Sequence, residues 1–331
     1  MPQKILIYGE DWLGTLPNLL KTDLIEKGYL AKVFDWTQIM PGIRSRNFIS
    51  RVKRKVFFNY YNKKIENAFY LFVNDFKPDI IIISKGLNLS ARFIEGLKKT
   101  GIPIHNWNPD DFFNMKNSSL NLLQAIPLFD SIITARKHLS DDYKSIGAKK
   151  IIYAEWYYVP NLHFRRNAKI QREISFVGSW SKSREDFIEG INIPVDIWGS
   201  GWKKAKKNIG KRHNLHNTVL SQKEMSAVFN SSRYNLNLLT HENNDFSNLR
   251  IFEVTASGGL LMTPRNSFSE SLFEKEEGCF LFNCVNEVNR FIQAKDLINN
   301  DKLRLAGYNT IKNGKHTFSD RVDQVMYELL K

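Results

Sequence analysis

Short runs of consecutive apolar residues, separated by segments with helical periodicity, recur along the whole chain. The run DIIIISKG at 79–86 is typical, and KILIYG at 4–9 and DSIITA at 130–135 resemble it. Strands that are apolar on both faces belong to parallel sheets covered by helices on both sides. The pattern therefore predicts an α/β protein with parallel sheets.

The two halves of the chain show the same alternation of strands and helices. In the first half, strands are predicted at 4–9, 30–36, 79–86, 102–108, 130–135 and 150–156, and helices at 14–27 and about 44–76. In the second half, strands are predicted at 173–179, 195–201, 233–239, 260–263 and 279–283, and helices at about 285–294, 301–312 and 319–330. We predict two Rossmann-like domains with parallel sheets that face each other across a cleft.

The 331 residues are enough for two domains that each bury a core. Periodicity lapses near residues 157–172, a basic stretch that contains Pro and Asn. We predict an N-terminal domain over 1–157, a linker over 158–172 and a C-terminal domain over 173–316. The last helix, 317–331, is expected to pack back on the N-terminal domain.

The formal charge of +14 favours anionic partners such as phosphate ligands, anionic lipid surfaces or nucleic acid, without choosing among them. A basic, solvated surface in a chain rich in Lys and Asn explains part of this charge. No run approaches the roughly 18 apolar residues of a spanning helix. The N-terminus MPQKILIYGE becomes a strand at once and lacks a signal peptide's features, so we expect a cytoplasmic protein.

Several catalytic motifs are missing from the sequence. It contains no GxGxxG, GxxxxGK[ST] or GxSxG pattern, which argues against dinucleotide enzymes, P-loop proteins and α/β-hydrolases. Cys279 and Cys284 are predicted to be small thiols, not a disulfide or a metal pair. No His, Cys and carboxylate cluster has metal-ligand spacing, and we predict no essential metal and no cofactor.

The segment NLRIFEVTASGGLLMTP at 248–264 carries the strongest functional signal and predicts a helix, a glycine pair and a strand. Arg250 and Glu253 share one stripe of the helix, because residues three apart lie on one face. A charged pair at the open end of a buried element can bind a polar ligand. Gly258 permits close backbone approach, and seven residues separate Glu253 from Asp245.

Loops that follow predicted strands supply further candidates, because ligands bind beyond the carboxyl ends of strands in open α/β sheets. Gly178 and Ser179 follow the first strand of the second domain and could present N–H groups to a phosphate, with Arg184 adding a charge. Gly199 follows the next strand. A plain turn is the better interpretation of the Gly178 loop taken alone, and the Lys-rich run after Gly199 is more often a solvated loop than a ligand-binding one.

The first domain places acids beyond two of its strands. Asp110 and Asp111 follow the strand that contains His105. Either could act as a general base or orient a sugar hydroxyl, and a helix cap or Asx-turn is an equally good interpretation. A further loop after the first strand holds Gly9, Glu10, Asp11 and Gly14.

The segment from residue 44 to residue 72 interleaves basic and aromatic side chains. On a helix it has a basic face beside Phe48, Val52, Phe57, Tyr60 and Tyr61. The charge suits an anionic membrane or a nucleic-acid backbone. For the aromatic side chains we favour the hypothesis that they belong to the core.

Taken together in their order and spacing, these motifs resemble the CgeB-like (spore-maturation-protein-like) glycosyltransferases, which have the two-domain GT-B fold. The resemblance covers most of the chain and is clearest in the second domain. It rests on KPDIIIISKG at 77–86, WNPDD at 107–111, SFVGS with Arg184, IWGSGW at 197–202, YNLNLL at 234–239, LRIFEVTASGGLLMT at 249–263, LFEKEEGCFLF at 272–282 and KHTFSDRV at 315–322.

The resemblance implies a nucleotide-sugar donor, held mainly by the second domain, and a first domain that holds the acceptor. Glu253 is then similar to the residue that binds the donor ribose, and Arg250 becomes a candidate for the diphosphate. Asp245 stands where many relatives have an acid that contacts the donor sugar. Gly178, Ser179 and Arg184 lie beside Arg250 in this interpretation. We predict donor-binding residues at Gly178, Ser179, Arg184, Gly199, Asp245, Asn248, Arg250, Glu253 and Gly258, and catalytic residues at Asp110, Asp111 and Arg250.

The resemblance implies transfer of a sugar, most simply from a UDP-sugar, to a cell-surface glycan, a lipid-linked acceptor or a protein. A peripheral position at the inner face of the membrane would suit the basic helix. Transfer to a modified base in DNA and a non-catalytic nucleotide- or glycan-binding protein remain alternatives. Retention or inversion, donor base, acceptor and oligomeric state stay open at this point.

Overall fold

A computed structural model of the chain describes residues 2–43, 48–115, 117–205, 207–239, 246–273, 277–294 and 299–331. The chain divides into two compact units. The first consists of Met1–Glu155 together with Arg321–Lys331, and the second of Trp156–Asp320. By this division the predicted linker 158–172 lies in the second unit, and most of the last helix lies in the first.

The first unit is built on a six-stranded parallel sheet with the order β2-β1-β3-β4-β5-β6. Its strands are β1 Lys4–Gly9, β2 Leu30–Asp35, β3 Ile80–Ser84, β4 Ile104–Trp107, β5 Ser131–Thr134 and β6 Ile151–Tyr153. Its helices are α1 Leu16–Glu26, α2 Phe48–Val56, α3 Phe58–Phe76, α4 Ala91–Lys98, α5 Leu120–Ala125 and α6 Ser140–Ser145.

The second unit is built on another six-stranded parallel sheet with the order β12-β11-β10-β7-β8-β9. Its strands are β7 Arg172–Val177, β8 Val195–Trp198, β9 Asn214–Leu215, β10 Ser232–Leu236, β11 Leu261–Pro264 and β12 Cys279–Phe282. Its helices are α7 Lys182–Glu189, α8 Lys207–Arg212, α9 Gln222–Asn230, α10 Leu249–Ala256, α11 Ser267–Leu272, α12 Val285–Gln293 and α13 Asn300–Asn313. The last helix, α14 Phe318–Leu329, lies mostly in the first unit. The predicted fold class, with two parallel sheets, is confirmed.

The apolar strands form the centre of the first unit because helices cover them. Ile5, Leu6 and Ile7 of β1 are fully buried. Helix α3 contributes Phe69, whose ring lies 5.0 Å from the ring of Tyr8. Burying one such side chain contributes about 1.5–3 kcal/mol to the free energy of folding.

Two features differ from the sequence-based expectation for the first unit. The predicted helix over about 44–76 is two helices, α2 and α3, that meet at Phe57 with a non-helical ψ of 29°. Residues 44–47 lie outside the described part of the chain. Phe48, Phe57 and Tyr60 are exposed, so the hypothesis that these aromatic side chains are core residues is wrong.

No helix in the described residues combines the length and the apolar character that crossing a bilayer requires.

The two cysteines of the second unit are both free thiols, with Cys279 buried and Cys284 exposed. The prediction that they form no disulfide is confirmed.

Candidate functional site

The loops after β7 and β8 touch through their backbones, and glycine is what lets them do so. The N–H of Gly178 donates to the carbonyl oxygen of Trp198 at 2.9 Å. A Cβ atom on Gly199 would lie 2.0 Å from the Gly178 oxygen, and Gly199 has φ +141°. A side chain at position 199 is therefore excluded by both space and backbone conformation.

Arg184 joins the ends of two strands at this edge of the sheet. Its N–H is accepted by the N-cap Ser181 at 3.3 Å, which starts α7 and fixes the direction of the arginine. Nη1 donates to the carbonyl oxygen of Ser179 at 2.9 Å, and Nη2 to that of Leu238, also at 2.9 Å. The guanidinium group is thus held beyond the carboxyl ends of β7 and β10.

Arg250 comes to the same edge from the first turn of α10. Its Nε donates to the carbonyl oxygen of Val177, the last residue of β7, at 3.0 Å. Its Nη1 forms an ion pair with Glu253. Nη2 makes no hydrogen bond to any described residue, and the Arg250 side chain is 23% exposed. The group therefore has donors to offer to a ligand.

Glu253 lies beneath Arg250 and is only 2% exposed. Its Oε2 pairs with Arg250, and its Oε1 lies 3.7 Å from Nε2 of His163. Arg250 and Glu253, predicted to share one face of this helix, thus form an ion pair across one helical turn. Ser257, on the same stripe, is fully buried and donates to the Glu253 carbonyl oxygen at 2.7 Å.

His163 is a site residue that the sequence did not reveal. It lies in a segment without periodicity, far along the chain from Glu253, so no spacing pattern connects the two. Nδ1 accepts the N–H of Val159 at 3.1 Å, which places the imidazole proton on Nε2, the atom that faces Glu253. Burial, assisted by the charge of Arg250, lowers the pKa of His163 to about 4.

The electrostatics of this edge favour an anion. Burial lowers the pKa of Arg250 to about 10, and the charge of Arg184 contributes to that shift. Arg250 is nevertheless charged at neutral pH, and the histidine beside Glu253 is neutral. Two guanidinium groups near one carboxylate leave a positive edge that suits a phosphate group.

Two other predicted donor residues lie at the two ends of α10. Asn248 does not cap the helix: its Nδ2 donates to Oδ1 of Asn237 at 2.9 Å, so the first amides of α10 have no side-chain cap. Gly258 has φ +76°, and a Cβ there would lie 2.7 Å from Cγ of Arg165. Asp245 falls outside the described residues.

In the first unit, the two candidate acids have different environments. Asp110 forms an ion pair with Lys85, at 2.6 Å between Nζ and Oδ2, and is 31% exposed. Asp111 is buried, and its Oδ1 accepts the N–H of Phe113 at 2.8 Å. This is the Asx-turn that was one of the two interpretations for this pair.

The loop after β1 contributes one more charged side chain to the first unit. Burial raises the pKa of Glu10, while the charge of Lys85 opposes that rise. Asp11 is bound by α1 instead, through Lys21 at 2.6 Å and Asn18 at 2.7 Å. Gly9 allows close packing, since a Cβ there would lie 2.3 Å from Pro17.

Gly14, the last candidate in this loop, has φ +84° and follows the turn that leads to α1.

Among the described residues, no group of three or more His, Cys, Asp and Glu side chains could hold a metal ion. Metal-independent activity stays a prediction.

We expect the folded state to lose stability as the pH falls from about 6.5 towards 4. Burial lowers the pKa of both His163 and His105 to about 4, from 6.5. In this window the unfolded chain binds protons that the folded chain does not, so the free energy of unfolding rises with pH. Each histidine contributes up to about 3 kcal/mol.

Urea titrations between pH 4 and pH 7 measure this dependence. His163→Gln should flatten the slope of the free energy of unfolding against pH, whatever its effect at pH 7. An unchanged slope in that variant would show that His163 is not the group that titrates.

Most of the second unit also matches a known protein family in sequence. Residues 174–327 match the model of a family described as glycosyl transferase-like. The spore protein CgeB of Bacillus subtilis is 24% identical to the chain over 216 residues, which cover 58% of this chain and 65% of CgeB. The match thus spans less than two thirds of that relative.

Solved structures with similar folds cover nearly the entire chain. Sucrose-phosphate synthase from Thermosynechococcus elongatus has a TM-score of 0.72 at 13% identity, over 99% of both chains. A UDP-forming trehalose-phosphate synthase from Burkholderia xenovorans has a TM-score of 0.70 at 12% identity, over 100% of this chain and 99% of its own. Anabaena HepE, solved in complex with UDP-glucose, has a TM-score of 0.61 at 12% identity, over 99% of both chains.

At these identities the solved structures establish the fold alone, which is GT-B. The family model matches the part of the chain that holds Arg184, Arg250 and Glu253. The chain therefore has the GT-B fold and is similar to CgeB, and its residues 174–327 match a glycosyl transferase-like family.

Proposed function

We propose that this chain is a glycosyltransferase that moves a sugar from a nucleoside-diphosphate donor to an acceptor hydroxyl. The observation that carries the proposal is the convergence of Arg184 and Arg250 at the ends of β7 and β10. This positive edge belongs to a glycosyl transferase-like domain. Because similar folds have been solved with UDP and with UDP-glucose, we propose a UDP-sugar as the donor.

The diphosphate is proposed to bind Arg250 through Nη2, beside the backbone of Gly178 and Ser179. The uncapped N-terminal turn of α10 adds amide N–H groups and the positive end of a helix dipole. Breaking the glycosidic bond leaves negative charge on the departing diphosphate. Fixed cations and amides stabilise that charge in the transition state, and no metal is then required.

Glu253 is proposed to serve the donor in two ways. Its Oε2 holds the guanidinium group of Arg250 in place. Its Oε1 takes no part in the pair with Arg250 and lies 3.7 Å from Nε2 of the neutral His163. We propose that Oε1 accepts a hydrogen bond from a ribose hydroxyl.

The acceptor is proposed to bind the first unit. Asp110 is the better candidate for a general base, because Asp111 is buried and its carboxylate holds a turn. The acceptor is proposed to be a cell-surface glycan, a lipid-linked sugar or a protein, modified at the inner face of the membrane. The charge of +14 supports an anionic surface as the setting.

A thermal-shift screen against UDP-, GDP-, dTDP- and CMP-sugars, followed by a hydrolysis assay with each donor that binds, tests the proposal. We expect a UDP-sugar to raise the melting temperature and to be hydrolysed slowly, with EDTA leaving the rate unchanged. Arg184→Gln should abolish the shift, and Arg290→Gln, which removes an exposed arginine on α12, should keep it.

Nucleotide binding without hydrolysis or transfer of any donor would identify a non-catalytic binder. Loss of activity with EDTA that Mg²⁺ restores would overturn metal independence. Salt-sensitive binding to duplex DNA together with glucosylation of its bases would assign the acceptor to nucleic acid.

A further inference from the structure

Helix α2 is attached to the first unit in an unusual orientation. None of its nine residues is buried. Only two residues of α2, Ser50 and Arg54, are half-buried, and both have polar side chains; the other seven are exposed. The helix therefore turns its polar side towards the protein and its apolar side away from it.

The attachment fixes this orientation through backbone contact. A Cβ atom on Gly42 would lie 2.9 Å from the carbonyl carbon of Ser50, so the two chain segments lie against each other. Nη1 of Arg54 reaches the carbonyl oxygen of Gly42 at 3.5 Å. Ser50 and Arg54 are four residues apart and share one side of the helix.

The opposite side is an apolar stripe. At 3.6 residues per turn, Phe48, Ile49, Val52 and Val56 fall within an arc of about 100°. They are 75%, 61%, 43% and 67% exposed. Large apolar side chains cluster on an exposed helix face where a partner covers them.

The charges around this stripe specify the partner. Residues 48–64 contain no acid and six cations, which are Arg51, Lys53, Arg54, Lys55, Lys63 and Lys64. Lys53 and Lys55 flank the stripe on its two sides at helical spacing. A nucleic acid would satisfy the cations and leave four apolar side chains in water, whereas an anionic bilayer satisfies both.

We propose that α2 is an interfacial helix that binds a bilayer containing anionic lipid. Phe48, Ile49, Val52 and Val56 enter the boundary between headgroups and acyl chains, and the flanking lysines contact lipid phosphates. This binding needs neither the donor nor its site, so it stands or falls separately from glycosyl transfer.

Co-sedimentation of the full chain with phosphatidylcholine vesicles, with and without 30% phosphatidylglycerol, tests the proposal. Wild type should bind the anionic vesicles and not the neutral ones. Phe48→Ser with Ile49→Ser should weaken binding about tenfold or more, through loss of apolar burial. Leu120→Ser, which removes a 69% exposed leucine from α5, is the matched control and should bind like wild type.

A second pair of variants tests the contribution of charge to vesicle binding. The double variant Lys53→Gln/Lys55→Gln is compared with the control double variant Lys137→Gln/Lys149→Gln, which lies elsewhere on the same unit. The first pair should weaken binding about 30-fold, because each cation at an anionic surface contributes about five-fold. The control pair should have a clearly smaller effect. Since all these side chains are exposed, the variants should keep their melting temperature and their shift with a UDP-sugar.

Insertion is measured directly with an environment-sensitive dye on Ile49→Cys in a Cys284→Ser background, where the remaining Cys279 is buried. We expect a blue shift on anionic vesicles and quenching by brominated lipid. Three results would overturn the proposal: no binding of wild type to anionic vesicles, an unshifted dye, or apolar variants that bind like wild type. If only the charge variants lose binding, α2 is an electrostatic surface, and duplex DNA becomes the partner to test.

Discussion

Replacing Arg250 by alanine is expected to lower turnover by about 10²- to 10³-fold, the usual cost of losing one fixed donor to a developing negative charge. The reason is the position of the guanidinium group. Its Nε donates to the carbonyl oxygen of Val177 and its Nη1 pairs with Glu253, so Nη2 remains for the proposed ligand. A steady-state assay with the best UDP-sugar should show the loss in kcat as well as in kcat/KM, because the charge appears as the bond breaks.

A loss of folding must be separated from a loss of chemistry in this experiment. Arg250→Ala leaves the buried carboxylate of Glu253 without its partner, and an unpaired buried charge destabilises a protein by about 3–5 kcal/mol. Arg250→Met combined with Glu253→Gln removes both charges and should fold better than Arg250→Ala while remaining inactive. Near-normal turnover in that double variant would assign Arg250 to structure alone.

Glu253→Ala is expected to have the second large effect, on stability and on nucleotide affinity together. Its side chain is 2% exposed and pairs with Arg250, so its removal should lower the free energy of unfolding by about 3 kcal/mol or more. Urea unfolding measures this loss. Isothermal titration with UDP should show an affinity at least tenfold lower, if a ribose hydroxyl also binds Oε1.

The ion pair between Glu173 and Arg233 is a suitable control, because it is partly exposed at 43% and 35%. Glu173→Ala should change stability by no more than about 1 kcal/mol, and UDP affinity should not change. Glu253→Gln keeps the shape of the side chain and separates charge from packing. If the Gln variant binds UDP as tightly as wild type, a ribose contact through the carboxylate charge is ruled out.

The fold could be predicted because its signal is local and repeated. A strand such as β3, Ile80–Ser84, is buried along its apolar run, and only a parallel sheet with two covered faces buries such a run completely. A very short strand has no apolar run that would predict it from the sequence. Strand β9, Asn214–Leu215, has two residues and takes its place only through pairing with β8.

The candidate site could be predicted where its residues are close in sequence. Arg250 and Glu253 are three apart on one helix, and Gly178 and Arg184 flank one strand-to-helix turn. His163 could not be found in this way, since its contact with Glu253 depends on how a segment without periodicity crosses α10. Asp110 and Asp111 have the same sequence signal, and the structure separates them: Asp110 pairs with Lys85, whereas Asp111 is buried and accepts the N–H of Phe113.

The exposed apolar side of α2, which includes Phe48, shows why a pattern alone can mislead. Amphipathic periodicity predicts that a helix has an apolar face, but it does not say which face meets the protein. Here the contact between Gly42 and Ser50 decides the matter, and it places the polar side inward.

The division of the chain into units has a practical consequence for dissecting it. Residues Arg321–Lys331 belong to the unit that begins at Met1. They contact the edge strand β6 and the residue before it. Nε2 of Gln324 donates to the carbonyl oxygen of Tyr153 at 2.8 Å, and Glu328 forms an ion pair with Lys150 at 3.0 Å. A recombinant fragment that stops at Glu155 would lack those contacts, so an expressible first unit needs its terminal peptide spliced on or supplied as a separate chain.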